Sequence, residues 1–130
     1  MKKLILLTTL FAILSCSSSD DKAANSNTTS INPPAWIQGT WKDKDNFEGF
    51  KFTNNDFCII SSAGYVTTTD CFGKSLPVMN LKETINNTDY ILEITLGSAT
   101  FKYHFKKISA TKIQWEVIEG GMFNPIYTKQ

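Results

Sequence analysis

The chain has 130 residues, with 13 basic and 12 acidic side chains and a formal net charge of +1. A chain of this length suits one small domain with only a modest core. The balanced charge supplies no basic face for phosphate groups, which argues against a nucleic-acid-binding protein.

The first fifteen residues have the layout of an export signal. Met1 is followed by Lys2 and Lys3, and residues 4–14 are mostly apolar. An apolar stretch of roughly 7–15 residues after a positive start is typical of a secretory signal peptide, whereas a membrane-spanning helix needs about 20. We therefore predict a signal peptide over residues 1–15. Its removal takes away Lys2 and Lys3, which leaves 11 basic and 12 acidic residues and a formal charge of −1.

The signal ends in Ile13-Leu14-Ser15-Cys16, which resembles the lipobox of bacterial lipoproteins. The resemblance implies that the chain is cut before Cys16 and anchored to a membrane by lipid on that cysteine, as two or more acyl chains anchor stably. The acidic pair Asp20-Asp21 resembles the signal that sends some lipoproteins to the outer face of the outer membrane. We expect an outer-membrane lipoprotein exposed on the cell surface, with the periplasmic face as the alternative.

Residues 16–35 read as the lipidated cysteine and a flexible linker. Residues 17–32 are almost entirely small and polar, with Ile31 as the only branched apolar side chain. Such a segment buries too little apolar surface to offset its ordering entropy. Pro33 and Pro34 then stiffen the chain where the domain of residues 36–130 begins.

The second half of this domain alternates apolar and polar residues with period two, which predicts half-buried strands. We expect strands over residues 90–96, 101–105, 113–117 and 123–129, with turns at 97–98, 109–111 and 119–121. Pro125 cannot donate to a strand ladder, so the last strand should be irregular there. His104 falls on the polar face of its strand and is expected at the surface.

The first half is less regular. Residues 37–43, 48–53, 57–61 and 78–85 read as strands, and residues 65–70 fit a strand, a short helix or an ordered loop. The fold class is therefore all-β, a small antiparallel meander β-barrel of about eight strands. A generic antiparallel sandwich is the alternative.

Gly39-Thr40-Trp41-Lys42 resembles the Gly-x-Trp motif of the first strand in lipocalins. The resemblance implies a lipocalin-like barrel in which Trp41 plugs one end and packs under a basic residue near the end of the chain, here Lys129. Gly39 would let another part of the chain approach the backbone beside the tryptophan.

The two remaining cysteines, Cys58 and Cys71, are expected to form a disulfide in an exported protein. One histidine and scattered carboxylates do not supply a metal site, and turn chemistry explains the acidic groups near residues 43–48 and 54–56. No residue set amounts to a catalytic site, and no cofactor is expected.

A barrel of this size is either filled by its own side chains or holds one small ligand, and the many aromatic residues favour filling. Any cavity would be lined by Tyr90, Phe101, Tyr103 and Trp115. The sequence thus favours a non-enzymatic, lipid-anchored binding module for a small apolar ligand. The alternative is a protein-interaction module, such as an envelope accessory subunit or an inhibitor of a lytic enzyme. An open apolar cavity would favour the first function, and an exposed aromatic patch or a projecting disulfide-braced loop the second.

Overall fold

The computed structural model describes residues 24–28, 30–73, 80–117 and 123–130. The predicted signal peptide, Cys16, the Asp20-Asp21 pair and the predicted turn at 119–121 lie outside these residues. Over the described ranges, no helix has the length and apolarity needed to cross a membrane.

The structure is all-β, as predicted. In the described part of the chain, ten strands form one antiparallel sheet: β1 (Ala24–Thr28), β2 (Gly39–Lys42), β3 (Glu48–Phe52), β4 (Phe57–Ala63), β5 (Val66–Cys71), β6 (Asn80–Ile85), β7 (Asp89–Leu96), β8 (Ala99–Lys107), β9 (Lys112–Trp115) and β10 (Ile126–Lys129).

The sheet curls strongly because its first and last hairpins meet. β10 pairs with β9 on one side and with β2 on the other, so that Lys129 lies opposite Trp41. The strand order is β1-β6-β7-β8-β9-β10-β2-β3-β4-β5. This arrangement confirms the small antiparallel meander barrel, with nine meander strands instead of about eight. The residues expected as a strand, helix or loop at 65–70 form β5.

The curled sheet has two ends, which we name by their connections. Because successive strands are antiparallel, the β2–β3, β4–β5, β7–β8 and β9–β10 connections lie at one end, called the upper end. The β3–β4, β6–β7 and β8–β9 connections lie at the other, the lower end. At the upper end, Gly97 turns the β7–β8 hairpin with φ +59°, a conformation that favours glycine.

The ladder is interrupted once, between β5 and β6, which are not paired. The edge of β6 is instead covered by β1, with Ala24 opposite Ile85 and Thr28 opposite Leu81. β1 lies within the segment that we expected to be flexible linker. Composition misled that expectation, because backbone hydrogen bonds to an open edge need no apolar side chains.

The chain after β1 is also packed onto the sheet. Ile31 is fully buried in the core, and the Asn32 amide donates a 2.8 Å hydrogen bond to Glu83 Oε1. The folded domain therefore begins before residue 36, the boundary that the sequence indicated.

Aromatic side chains fill the inside of the curl. Phe50 of β3 contacts the rings of Phe57, Phe105 and Tyr127, at centroid distances of 5.9, 4.9 and 4.8 Å. These rings come from β4, β8 and β10, so a single cluster joins strands on opposite sides of the curl. This packing follows the expectation of a filled interior.

Trp41 is the largest fully buried side chain at the β2–β10 junction. Its indole N–H donates a 2.6 Å hydrogen bond to the Ile37 carbonyl, and Lys129 Nζ lies 5.2 Å from the ring centroid. Gly39 has φ +131°, and a Cβ there would lie 2.7 Å from Lys129 Cε. The glycine thus leaves room for the lysine that covers the tryptophan.

We expect Trp41→Ala to lower the free energy of unfolding by about 3–5 kcal/mol, because it deletes a large, fully buried ring. A domain of this size has little more stability than that, so the variant should be largely unfolded. Urea denaturation measures the change. Tyr65→Ala, at a fully exposed position, is the control and should stay within about 0.5 kcal/mol of the parent. A Trp41→Ala protein with the parent's midpoint would contradict the structural role given to this ring.

Candidate ligand-binding site

An open cleft of about 780 Å³ lies at the upper end, between the β2–β3 connection and the strands β9 and β10. Its volume falls within the range of small-molecule sites, roughly 300–1,000 Å³. One group of lining residues is apolar or aromatic: Trp115, Val117, Phe123, Pro125, Ile126 and Tyr127. The other is polar: Asp43, Lys44, Asp45, Glu48, Lys112 and Thr128.

The apolar lining is accessible to solvent. Phe123, Val117 and Ile126 are exposed large hydrophobic side chains. Pro125 lacks the N–H for a ladder, and Phe123, which precedes it, lies outside the strand. Ile126 is exposed although it pairs with Gln114 of β9. The Pro125 carbonyl still accepts a 3.0 Å hydrogen bond from the Trp115 amide, which holds this irregular segment beside β9.

A smaller cavity of about 130 Å³ adjoins the cleft, and the two share Glu48 and Trp115 as lining residues. Phe50, Ile59 and Ile60 form its apolar wall. The indole Nε1 of Trp115 is buried and has no hydrogen-bond partner among the described residues. Glu48 and Trp115 therefore lie where a ligand in the cleft would meet the smaller cavity.

Of the four residues predicted to line a cavity, only Trp115 lines the cleft. Tyr103 stacks on Trp115 from behind, with ring centroids 6.4 Å apart. Tyr90 is fully buried in the filled interior, and Phe101 is 48% exposed near the tip of the β7–β8 hairpin. The sequence placed all four on inward faces, but the long β7–β8 hairpin carries Phe101 beyond the core.

Several cleft residues were not predicted from the sequence: Val117, Phe123, Ile126 and Tyr127, together with the acidic residues of the β2–β3 connection. Those acidic residues were explained by turn chemistry, and this is partly correct: the Asp43 carboxylate accepts the Glu48 amide at 3.2 Å. Pro125 could have indicated the apolar residues of the cleft, because it lies immediately before the first paired residue of the last strand.

Carboxylates at the cleft affect Tyr127. Burial, followed by the negative charges of Glu48 and Asp43, raises the pKa of the Tyr127 hydroxyl to about 12. Lys44 forms an ion pair with Asp45, with 2.5 Å between Nζ and Oδ2. Two carboxylates, those of Glu48 and Asp43, therefore lie close enough to influence the Tyr127 hydroxyl at this wall of the cleft.

A second polar group is buried in the core. Glu83 is almost fully buried, and its Oε1 accepts hydrogen bonds from Tyr90 Oη at 2.6 Å and from the Asn32 amide at 2.8 Å. Burial and the charge of Glu83 raise the pKa of Tyr90. Because a buried carboxylate needs partners, this pair ties the segment after β1 to β6 and β7. The sequence showed Glu83 only as a charged residue between apolar Leu81 and Ile85.

His104 is buried, contrary to the expectation of a surface position. Its Nε2 lies 2.8 Å from Asp89 Oδ1, and its Nδ1 lies 2.8 Å from Glu116 Oε2. Lys106 Nζ binds the other oxygen of Glu116 at 2.6 Å. Although burial disfavours its charge, hydrogen bonds from Thr88 and His104 lower the pKa of Asp89. His104 does lie on the outer face, but these neighbours cover it and tie β7 to β8 and the end of β9.

The disulfide between Cys58 and Cys71 is present and confirms the predicted pair. It joins β4 to β5 opposite one another. Asp56 lies close enough to these two cysteines to resemble a metal site, but both sulfur atoms are used in the disulfide. Its carboxylate instead accepts the amides of Phe57 and Gly73, at 2.8 and 2.7 Å.

Comparison with known proteins gives no assignment: no family model, no curated protein and no solved structure matches this chain. Function must therefore be argued from the geometry of the cleft and of the other exposed features.

The raised pKa of Tyr127 predicts a loss of stability in alkali. In the unfolded chain this hydroxyl ionises near pH 10, whereas in the folded protein it stays protonated to about pH 12. Its contribution is therefore fully present below pH 10 and is lost as the pH rises to 12. We expect Tyr127→Phe to lose less stability than the parent between pH 9 and pH 12. Urea midpoints at both pH values measure this, and equal losses would refute the assignment.

Proposed function

We propose that this chain is a lipid-anchored, extracytoplasmic, lipocalin-like module that binds a small apolar ligand and carries out no catalysis. The observation that carries the proposal is the open cleft of about 780 Å³ with its exposed apolar wall. Exposed apolar side chains that gather in a concave site commonly mark a binding surface. The ligand is held at the upper end of the barrel, since aromatic rings fill the interior.

Two further features support the absence of catalysis. The only histidine in the sequence, His104, lies between two carboxylates on the outer face and does not line the cleft. Cys58 and Cys71 are joined to each other, so neither offers a free thiol.

The lipocalin-like part of the proposal is supported by the β2–β10 junction. A basic side chain from the last strand covers the tryptophan of the first meander strand, as the Gly-x-Trp resemblance implies. The outer membrane, with display on the cell surface, remains the proposed location. It rests on the lipobox and on the Asp20-Asp21 pair.

A protein-interaction function is the second candidate, and the β4–β5 hairpin favours it. In the outer part of this hairpin, every residue of 63–70 is exposed, including Tyr65 and Val66 at its tip. A partner that docks there would be lost in a Tyr65→Ser, Val66→Ser variant, while binding in the cleft would remain. Native mass spectrometry of the purified protein separates a retained small ligand from a retained protein.

The anchor is tested at Cys16. We expect Cys16→Ser to remain uncut or to become soluble, because the variant lacks the thiol that takes the lipid. Flotation with membranes in a density gradient and intact-mass analysis are the measurements. The control replaces Cys58 and Cys71 with Ser, keeps Cys16 and should still float. A Cys16→Ser protein that has lost residues 1–15, as judged by its intact mass, and still floats would disprove the anchor.

The location is tested at the acidic pair. Asp20→Ala with Asp21→Ala should make the chain inaccessible to protease added to whole cells. Unchanged accessibility would show that the pair belongs to the linker alone.

The cleft is tested with N-phenyl-1-naphthylamine, a neutral apolar fluorophore. We expect Ile126→Asp to weaken its binding at least tenfold, because the new charge would lose hydration when the probe covers it. Ile108→Asp is a matched control, since Ile108 is 52% exposed and Ile126 is 51% exposed, but Ile108 does not line the cleft. Equal effects of the two substitutions, or no binding to the parent, would overturn the proposal.

A further inference from the structure

The charges around the cleft narrow the chemistry of its ligand. The polar lining contains three carboxylates, on Asp43, Asp45 and Glu48, and two ammonium groups, on Lys44 and Lys112. Lys44 and Asp45 form an ion pair with each other. The carboxylates of Asp43 and Glu48 are then opposed by Lys112 alone, and the lining has a net negative charge.

The two remaining carboxylates belong to one short connection. Residues 43–47 join β2 to β3; Asp43 is the first residue of this loop, and Glu48 is the first residue of β3. The Asp43 amide donates to the Glu48 carbonyl at 3.0 Å, and the Glu48 amide donates to the Asp43 carboxylate at 3.2 Å. These bonds hold the two residues at adjacent positions on the rim. Glu48 itself is exposed, and no described residue forms an ion pair with its carboxylate.

Aromatic rings accompany these charges. Trp115 lines both the cleft and the smaller cavity, as Glu48 does, while Tyr127 and Phe123 line the cleft alone. The face of an aromatic ring attracts an organic cation, most strongly in the case of tryptophan. A carboxylate adds charge attraction, and an apolar wall takes up the hydrocarbon part of the ligand.

We propose that the ligand of this cleft is an organic cation with an apolar body, such as an amine or a quaternary ammonium compound carrying a hydrocarbon chain. The cationic group lies at Glu48 and Asp43, and the hydrocarbon part lies along Val117, Phe123 and Ile126. This inference rests on the proposed function and adds a charge selectivity that an apolar cleft alone would lack.

Three amphiphiles with the same ten-carbon chain test the selectivity: decyltrimethylammonium, decyl maltoside and decyl sulfate, each below its micellar concentration. Binding to the full exported chain is measured directly by titration calorimetry. We expect the cation to bind about tenfold more tightly than the neutral compound and the anion to bind most weakly. Higher salt should reduce the preference.

Substitutions test whether the carboxylates of Asp43 and Glu48, which we call the rim, cause the preference for a cation. We expect Asp43→Asn with Glu48→Gln to weaken binding of the cation about five- to tenfold, and to leave N-phenyl-1-naphthylamine binding unchanged. The Asp43→Asn substitution removes the charge but keeps a side-chain oxygen that can accept the Glu48 backbone amide. The control is Glu93→Gln with Asp70→Asn, which makes the same change in net charge at positions away from the cleft and should leave cation binding unaltered.

The outcomes separate the two proposals. If the neutral probe binds in the cleft but the three amphiphiles bind equally, or the anion binds best, the charge selectivity is wrong and the apolar site stands. An equal loss of cation affinity in the rim and control variants also overturns the selectivity. If neither the probe nor any amphiphile binds, both proposals fail.

Discussion

The pairing of β2 with β10 is the constraint on which the rest of the structure depends. A meander of hairpins by itself makes an open sheet with two free edges. This pairing joins the first meander strand to the last, so the sheet curls back on itself and encloses an interior. Only then can Phe50, from β3, contact Phe105 of β8 and Tyr127 of β10.

Filling this interior with rings has a consequence for function. The volume that a small β-barrel could offer to a ligand is taken up by contacting aromatic rings, those of Phe50, Phe52, Phe57 and Phe105. A binding site must then be built where regular pairing ends. At the upper end, β10 begins only after Pro125, so Phe123 and Pro125 lie outside the strand. The cleft is thus a direct result of an irregular last strand beside a filled core.

Period-two alternation predicted most of the strands because one face of each packs on the core, and the cysteine count predicted the disulfide. The features that these patterns did not predict share a physical cause, because each depends on a partner residue elsewhere in the chain. Glu83 is tolerated in the core because Asn32 and Tyr90 donate to it. His104 is covered because Asp89 and Glu116 face it across neighbouring strands. β1 pairs with the edge of β6. It belongs to a polar segment whose side chains alone predict coil. A pattern along one strand carries no information about such partners.

If Cys16 carries the proposed lipid, the pairing of β1 with β6 also limits how far the lower end of the barrel can lie from the membrane. Ala24 pairs with Ile85, at the lower end, and Cys16 precedes Ala24 by eight residues. An extended chain of that length spans at most about 27 Å, whereas the twenty residues from Cys16 to Trp36 would span about 68 Å. With the proposed lipid on Cys16, β1 therefore holds the lower end close to the bilayer. The mouth of the cleft and the tip of the β4–β5 hairpin both lie at the upper end, so a ligand or a partner protein would reach them from the aqueous side.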